Sequence, residues 1–218
     1  MEILVIGSES NLKECKEKFG DGHSYHHFAN HSGVKDSFKP ESVVFDFAPN
    51  DISIYNQREL TVFLNSTNTT LAQLASGKPS QASLFGFCGI PSFLNREILE
   101  TVVLNKESEA SLEIVCSRLN VNYKIVEDRV GMITPRIICM IINEAYFSIE
   151  ENVATRADID LAMKLGTNYP LGPFEWCSKI GIRNVYELLN SVYNDTKDER
   201  YKICDLLVKE ANDFTQRR

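Results

Sequence analysis

All four histidines of the chain, His23, His26, His27 and His31, fall within nine residues. Imidazole moves protons near neutral pH and ligates zinc, copper and nickel, so this segment is the first place to look for chemistry. The spacing argues against a metal. His26 and His27 are adjacent, and on the strand that residues 25–28 predict they project to opposite faces. No cysteine or acidic pair stands nearby at zinc spacing, so no metal site is expected. Six cysteines (Cys15, Cys88, Cys116, Cys139, Cys177 and Cys204) are scattered singly, with no CxxC pair. That pattern predicts reduced, buried thiols in a cytoplasmic protein.

The elements that must position such residues are legible in the hydrophobic pattern. The chain has 218 residues, 43% hydrophobic and 24% charged, which allows one large domain or two modest ones. A net charge of −7 with a pI near 5.2 does not favour a nucleic-acid surface. No apolar run approaches the ~20 residues needed to cross a bilayer, and no leader pattern precedes the first apolar run. Neither nucleic acid nor membrane is therefore an expected partner. Runs at residues 3–6, 25–28, 43–47, 61–64, 83–87, 101–104 and 121–126 predict strands. Helical spacing of Leu12, Cys15 and Phe19, closed by Gly20, predicts a first helix, and residues 107–119 predict another. Strands alternating with helices or crossovers argue for a mostly parallel sheet over residues 1–127.

From residue 128 onward the strand signals stop. Thr134 reads as an N-cap, with Pro135 at the first helical position. Residues 137–149 are apolar on nearly every face, the mark of a helix covered on several sides. Thr155 opens a helix that Gly166 is expected to end. Ile182, Val185, Tyr186, Leu189, Val192 and Tyr193 make a helical stripe, and a last helix is expected over residues 199–211. The end, Gln216-Arg217-Arg218, is expected to fray.

One stretch is more specific than periodicity. Ile159-Asp160-Leu161-Ala162-Met163-Lys164-Leu165-Gly166 and then Tyr169-Pro170-Leu171-Gly172-Pro173-Phe174-Glu175 place two prolines and two glycines at fixed offsets. Asn143-Glu144-Ala145 lies upstream in register and Ile180-Gly181-Ile182 downstream. On these residues the chain resembles the 3-hydroxyacyl-CoA dehydrogenase family, whose pattern there is close to I-D-x-A-M-K-L-G-x-x-Y-P-M-G-P-F-E. A weaker likeness runs through residues 1–7, 43–47 and 61–74. The resemblance implies an α/β then all-α protein. A Rossmann-like, mostly parallel sheet domain (1–127) would precede a helical dimerisation domain (128–218), with a homodimer formed through the latter. It also implies NAD as cofactor, an acyl-CoA substrate and a place in fatty-acid metabolism.

Against that family the sites read as degraded. A dinucleotide loop needs G-x-G-x-x-G so that backbone can reach a pyrophosphate at a helix N-terminus. Here the loop is Gly7-Ser8-Glu9-Ser10-Asn11-Leu12; Gly7 is kept, Glu9 replaces the second glycine and Leu12 the third. The second-strand acid is missing, since the chain there reads Phe28-Ala29-Asn30-His31. Gly7, Glu9 and Asn65 mark what remains of a cofactor site. The segments at 30–43 and 47–61 are too short for the family's ligand-bearing excursions. Among catalytic positions implied by the resemblance, Thr67 keeps the serine's hydroxyl and Glu100 the orienting carboxylate. The histidine should fall within residues 84–88, on Gly86 or Phe87, and the asparagine on Pro135. The resulting expectation is a non-catalytic dimeric binding protein without NAD, open to an acyl-CoA-like small molecule. The alternative is an active NAD-dependent 3-hydroxyacyl-CoA dehydrogenase with a substitute base.

Overall fold

The computed structural model describes residues 1–77 and 80–216, with side chains through Phe214; of the tail expected to fray, Gln216 closes the last helix, and Arg217 and Arg218 lie outside the described residues. The chain forms two compact units, Met1–Met132 and Ile133–Arg218. Among the described residues no helix is long and apolar enough to cross a membrane.

The first unit is built on seven strands: β1 (Glu2–Ile6), β2 (Ser24–Phe28), β3 (Val43–Asp46), β4 (Thr61–Asn65), β5 (Ser83–Phe87), β6 (Ile98–Val103) and β7 (Asn122–Ile125). Their order in the sheet is β2-β1-β3-β4-β5-β6-β7. Every pairing is parallel except β5 with β6. The helices are α1 (Glu9–Phe19), α2 (Leu71–Ala75) and α3 (Glu109–Leu119). β1 and β3 are continuous apolar runs because central parallel strands are covered on both faces; Ile3–Ile6 and Val43–Phe45 are buried. On one face Phe45 stacks on Phe63, with centroids 4.8 Å apart, and Phe87 meets Phe45 and Phe47 edge-on at 5.5 and 5.0 Å. The edge strand β2 alternates instead: His26 is exposed and His27 is half-buried. Short 3-10 turns at Val34–Ser37 and Ile52–Ile54 occupy the two trimmed crossovers.

Two sequence readings shift here. β6 starts at Ile98 instead of residue 101, because Ile98 and Leu99 pair with Asn122 and Tyr123 of β7; a partner strand extends it past its own apolar run. The unit boundary lies at 132/133 instead of 127/128. Asp128 accepts from the first-turn amides of α2, Leu71 N–H and Ala72 N–H, both at 2.8 Å, where an acid suits a helix N-terminus. Gly131 N–H donates to the Thr67 carbonyl at 2.7 Å. Residues 128–132 are thereby tied to the sheet unit.

The second unit contains α4 (Thr134–Glu150), α5 (Arg156–Thr167), α6 (Pro173–Ile180), α7 (Ile182–Thr196) and α8 (Asp205–Gln216). Thr134 is already helical; the cap is Ile133, without a side-chain bond, and Pro135 falls in the first turn. Gly166 lies inside α5, which ends where Asn168 turns left-handed at φ 56°, a conformation asparagine tolerates better than most residues. Residues 199–201 are a 3-10 turn, and α8 begins only at Asp205. The reason is buried Asn143, whose Nδ2 donates to the Lys202 carbonyl and whose Oδ1 accepts from Cys204 N–H, both at 2.9 Å. That amide holds residues 202–204 out of helix.

The specific motif is a clasp between α5 and α6. Asp160 accepts from Phe174 N–H at 2.8 Å, so α5 caps α6. Glu175 accepts from Gly172 N–H at 2.9 Å and pairs with Lys164 at 2.5 Å. Gly172 fits because it has no Cβ: one built there would lie 2.4 Å from Asp160 Cα.

Candidate functional site

Parallel strands end along one edge of the sheet, and ligands of such sheets bind where the strand order reverses. Here that point is the carboxyl end of β1, with β2 on one side and β3 on the other. The residues gathered along this edge are Gly7, His27, His31, Asp46, Asn65 and Cys88.

The β1–α1 turn is closed on itself. Ser8 caps α1, accepting from Asn11 N–H at 3.3 Å, and Asn11 Oδ1 accepts from Ser8 N–H at 2.9 Å and Ser8 Oγ at 2.8 Å. The Asn11 amide covers Gly7 so closely that a Cβ on Gly7 would lie 2.6 Å from its Oδ1. Glu9, the first residue of α1, is exposed and places its carboxylate 3.2 Å from His27 Nδ1. His27 Nε2 faces the Gly7 carbonyl at 2.8 Å; a carbonyl only accepts, so that nitrogen carries the hydrogen. Leu12 packs against the core. A pyrophosphate at this turn needs free amides and no like charge. The side chains of Ser8 and Asn11 take up each other's amides and Glu9 supplies a negative charge, which fits the diphosphate of NAD poorly. The closing role of Asn11 and the placement of His27 were missed in the sequence. The four-residue capping spacing from Ser8 to Asn11 was the available signal.

Asn65 at the end of β4 is committed to the fold. Its Nδ2 donates to the Phe47 carbonyl at 3.0 Å, and its Oδ1 accepts from Gly89 N–H at 3.0 Å and Thr67 Oγ1 at 2.6 Å. The side chain braces the ends of β3, β4 and β5. Thr67 is fully buried; its hydroxyl donates to Asn65 and accepts from Gly89 N–H at 3.3 Å.

Gly86 and Phe87, where the family resemblance puts the histidine, both face packed surroundings. A Cβ on Gly86 would lie 2.4 Å from Ser66 Oγ and 3.1 Å from Val102 Cβ, and Phe87 is in the aromatic core. Near Thr67 and Glu100 stands Cys88, the first residue beyond β5. The Thr67 hydroxyl lies beside its thiol and acts to lower its pKa, but less than burial raises it. Burial pushes the thiol up to about 12, and the Glu100 carboxylate adds to the effect. Cys88 was recognisable as the one side chain in 84–88 with a transferable proton. Glu100 is half-buried on β6, in register with Lys124. Pro135 is buried in the first turn of α4 and brings no side-chain donor.

A second polar group sits at the end of β3. Asp46 is fully buried; its Oδ1 accepts from Ala48 N–H at 3.0 Å, and its Oδ2 from Tyr55 OH and His31 Nε2, each at 2.8 Å. Burial, and then the carboxylate, hold the Tyr55 phenol far above its ordinary range, so it stays a donor. Asp46→Asn puts an amide N–H against one of these donors. It is expected to cost on the order of 2–3 kcal/mol in urea unfolding; an unchanged midpoint would show the cluster to be dispensable.

Comparison with known proteins agrees with this frame. Residues 131–215 match the family model described as 3-hydroxyacyl-CoA dehydrogenase, C-terminal domain. The chain is 41% identical over 86 residues to the 3-hydroxyadipyl-CoA dehydrogenase of Escherichia coli (strain K12), covering 39% of this chain and 18% of that protein. It is 37% identical over 101 residues to a 3-hydroxybutyryl-CoA dehydrogenase of Bradyrhizobium diazoefficiens, 46% and 34% of the two chains. The aligned part is thus well under half of either relative. Among solved structures, FadB2 of M. tuberculosis superposes with a TM-score of 0.76 at 14% identity, over 96% of this chain and 93% of that one. The (S)-3-hydroxybutyryl-CoA dehydrogenase of Ralstonia eutropha gives 0.72 at 16% identity, over 95% and 92%. At those identities the likeness is one of fold.

Proposed function

We propose, since this chain belongs through residues 131–215 to the 3-hydroxyacyl-CoA dehydrogenase family, that it keeps the family's frame without its reaction. It is a cytoplasmic, homodimeric binding protein that does not use NAD, and an acyl-CoA-like molecule held without turnover is the ligand class it allows. The observation that carries this reading is the group Thr67, Cys88 and Glu100. Its central member is a buried thiol held in the protonated form, and Thr67 has spent its hydrogen on Asn65. The self-closed turn at Gly7 supports the cofactor part.

Calorimetric titration with NADH tests that part. No saturable binding is expected below ~1 mM. Glu9→Gly alone should change little, because the Asn11 amide still lies over the turn. Glu9→Gly with Asn11→Ala should tighten any residual binding about tenfold or more, since charge and cover are both removed. Micromolar NADH binding by the unchanged protein overturns the reading.

The dimer is supported by apolar side chains that the second unit leaves in water. Ile137 of α4 and Leu161 of α5 are half exposed, Leu165 is 78% exposed, and α5 has no buried residue. A patch of this kind marks a contact surface, and a twofold contact should bury well over ~1,000 Å². Light scattering is expected to give twice the chain mass at tens of micromolar, and Leu165→Glu to halve it. A monomeric mass for the unchanged protein sinks the idea.

A further inference from the structure

The second unit contains a cavity of about 390 Å³ among α4, α5, α6, α7 and α8, within the roughly 300–1,000 Å³ typical of small-molecule sites. Its lining is aromatic around one charge pair. Tyr146, Phe174 and Phe214 supply rings, and Arg156 and Glu210 supply the charges. The Arg156 guanidinium lies over the Tyr146 ring at 5.2 Å and over the Phe174 ring at 4.9 Å. These rings hold it in place.

The pair is unequally satisfied. Both oxygens of Glu210 are engaged: Arg156 Nη2 donates to Oε1 at 2.5 Å, and Tyr146 OH donates to Oε2 at 2.9 Å. A guanidinium carries five N–H donors in a fork suited to carboxylates, and Glu210 and the Tyr146 hydroxyl engage only part of it. The cavity wall also includes Gly181 and Ile182, where α7 begins without a side-chain cap. Phe214, half exposed, stands at the cavity wall.

We infer that this cavity is a binding site for a small planar aromatic acid. Its acid group pairs with the open donors of Arg156, and its ring lies among Phe174, Phe214 and Tyr146. The inference concerns the second unit alone and does not depend on the function proposed above. In the free protein Glu210 is the internal competitor for Arg156, which makes a prediction of unusual sign: removing that carboxylate strengthens binding.

The probes are 2-naphthoate and its uncharged analogue 2-naphthamide, titrated calorimetrically into the full-length protein. Saturable binding is expected, with the acid favoured by about tenfold or more over the amide. Arg156→Gln should abolish that preference while leaving the amide's affinity within about threefold. Glu210→Gln, which still accepts from Tyr146, should tighten the acid by about threefold or more. Arg156→Lys keeps the charge but not the fork and should fall between, and it carries the test if Arg156→Gln fails to fold. Equal affinity for acid and amide, no saturable binding, or an acid affinity unmoved by the Arg156 and Glu210 changes overturns the proposal.

Discussion

With saturating NADH and acetoacetyl-CoA, the purified protein is expected to turn over below ~10⁻³ s⁻¹, against a typical enzyme median near ~10 s⁻¹. Reducing a ketone requires a proton to reach the oxygen as hydride reaches the carbon. A positioned acid/base contributes roughly 10²–10⁴-fold. The side chain near Thr67 and Glu100 is Cys88, whose thiol is held up to about 12 mainly by burial. Such a group keeps its proton at neutral pH, so it cannot cycle between acid and base. Thr67 cannot replace it, because its hydroxyl donates to Asn65. Pro135 lacks the amide that the family resemblance calls for, a loss of the kind that costs about 10²–10³-fold. The two deficits multiply, before poor cofactor binding is counted.

A steady-state assay following NADH absorbance decides the matter. Cys88→His is expected to leave the rate low, since it returns a base but not the cofactor turn. Turnover near ~10 s⁻¹ by the unchanged protein would show that a base has been overlooked. Should Glu100→Gln then abolish that turnover, Glu100 is the base.

The second large effect is on stability. Gly172→Ala is expected to cost on the order of 3 kcal/mol, at the upper end for overpacking. The new Cβ would lie 2.4 Å from Asp160 Cα and 2.2 Å from Asp160 Oδ1. Backbone cannot rotate aside as a side-chain tip can, so α5 must back away from the 172 turn. The Asp160 bond to Phe174 N–H and the Glu175 bond to Gly172 N–H then loosen together. The fluorescence of the sole tryptophan, Trp176 in α6, reports on this unit directly. Its thermal midpoint should fall by about 6–12 °C. The contrast is Gly166, which has open space where a Cβ would go and lies inside α5. Gly166→Ala should stabilise by about 0.5–1 kcal/mol, the ordinary gain of alanine within a helix. Equal and small shifts for both variants would mean that the clasp has slack and that the motif is not what holds α5 to α6.

How much of this could be read without coordinates differs by element. β1, β3, β4 and β5 were placed to within a residue, because each is a short apolar run between polar segments and each is buried by that same property. α7 was placed for the same reason: its stripe of Val185, Leu189 and Val192 is its buried face. The Asp160–Glu175 stretch carried the family resemblance and marked the α5–α6 turn through chain-local prolines and glycines. The substitution of Glu9 in the cofactor turn was also visible directly.

The remainder was settled by contacts between residues far apart in the chain, which local pattern does not encode. Asp128 moved the unit boundary by capping α2, and Asn143 delayed α8 by holding residues 202–204. β6 took its start from β7. The composition of the site depended on register. Pairing Asn65 with Phe87 ends β5 one residue before Cys88, which brings the thiol beside Thr67. A shift of one residue along a strand sends a side chain to the opposite face. The residue types available at the sheet edge are legible in the sequence, while hydrogen-bond register between strands decides which of them stand side by side.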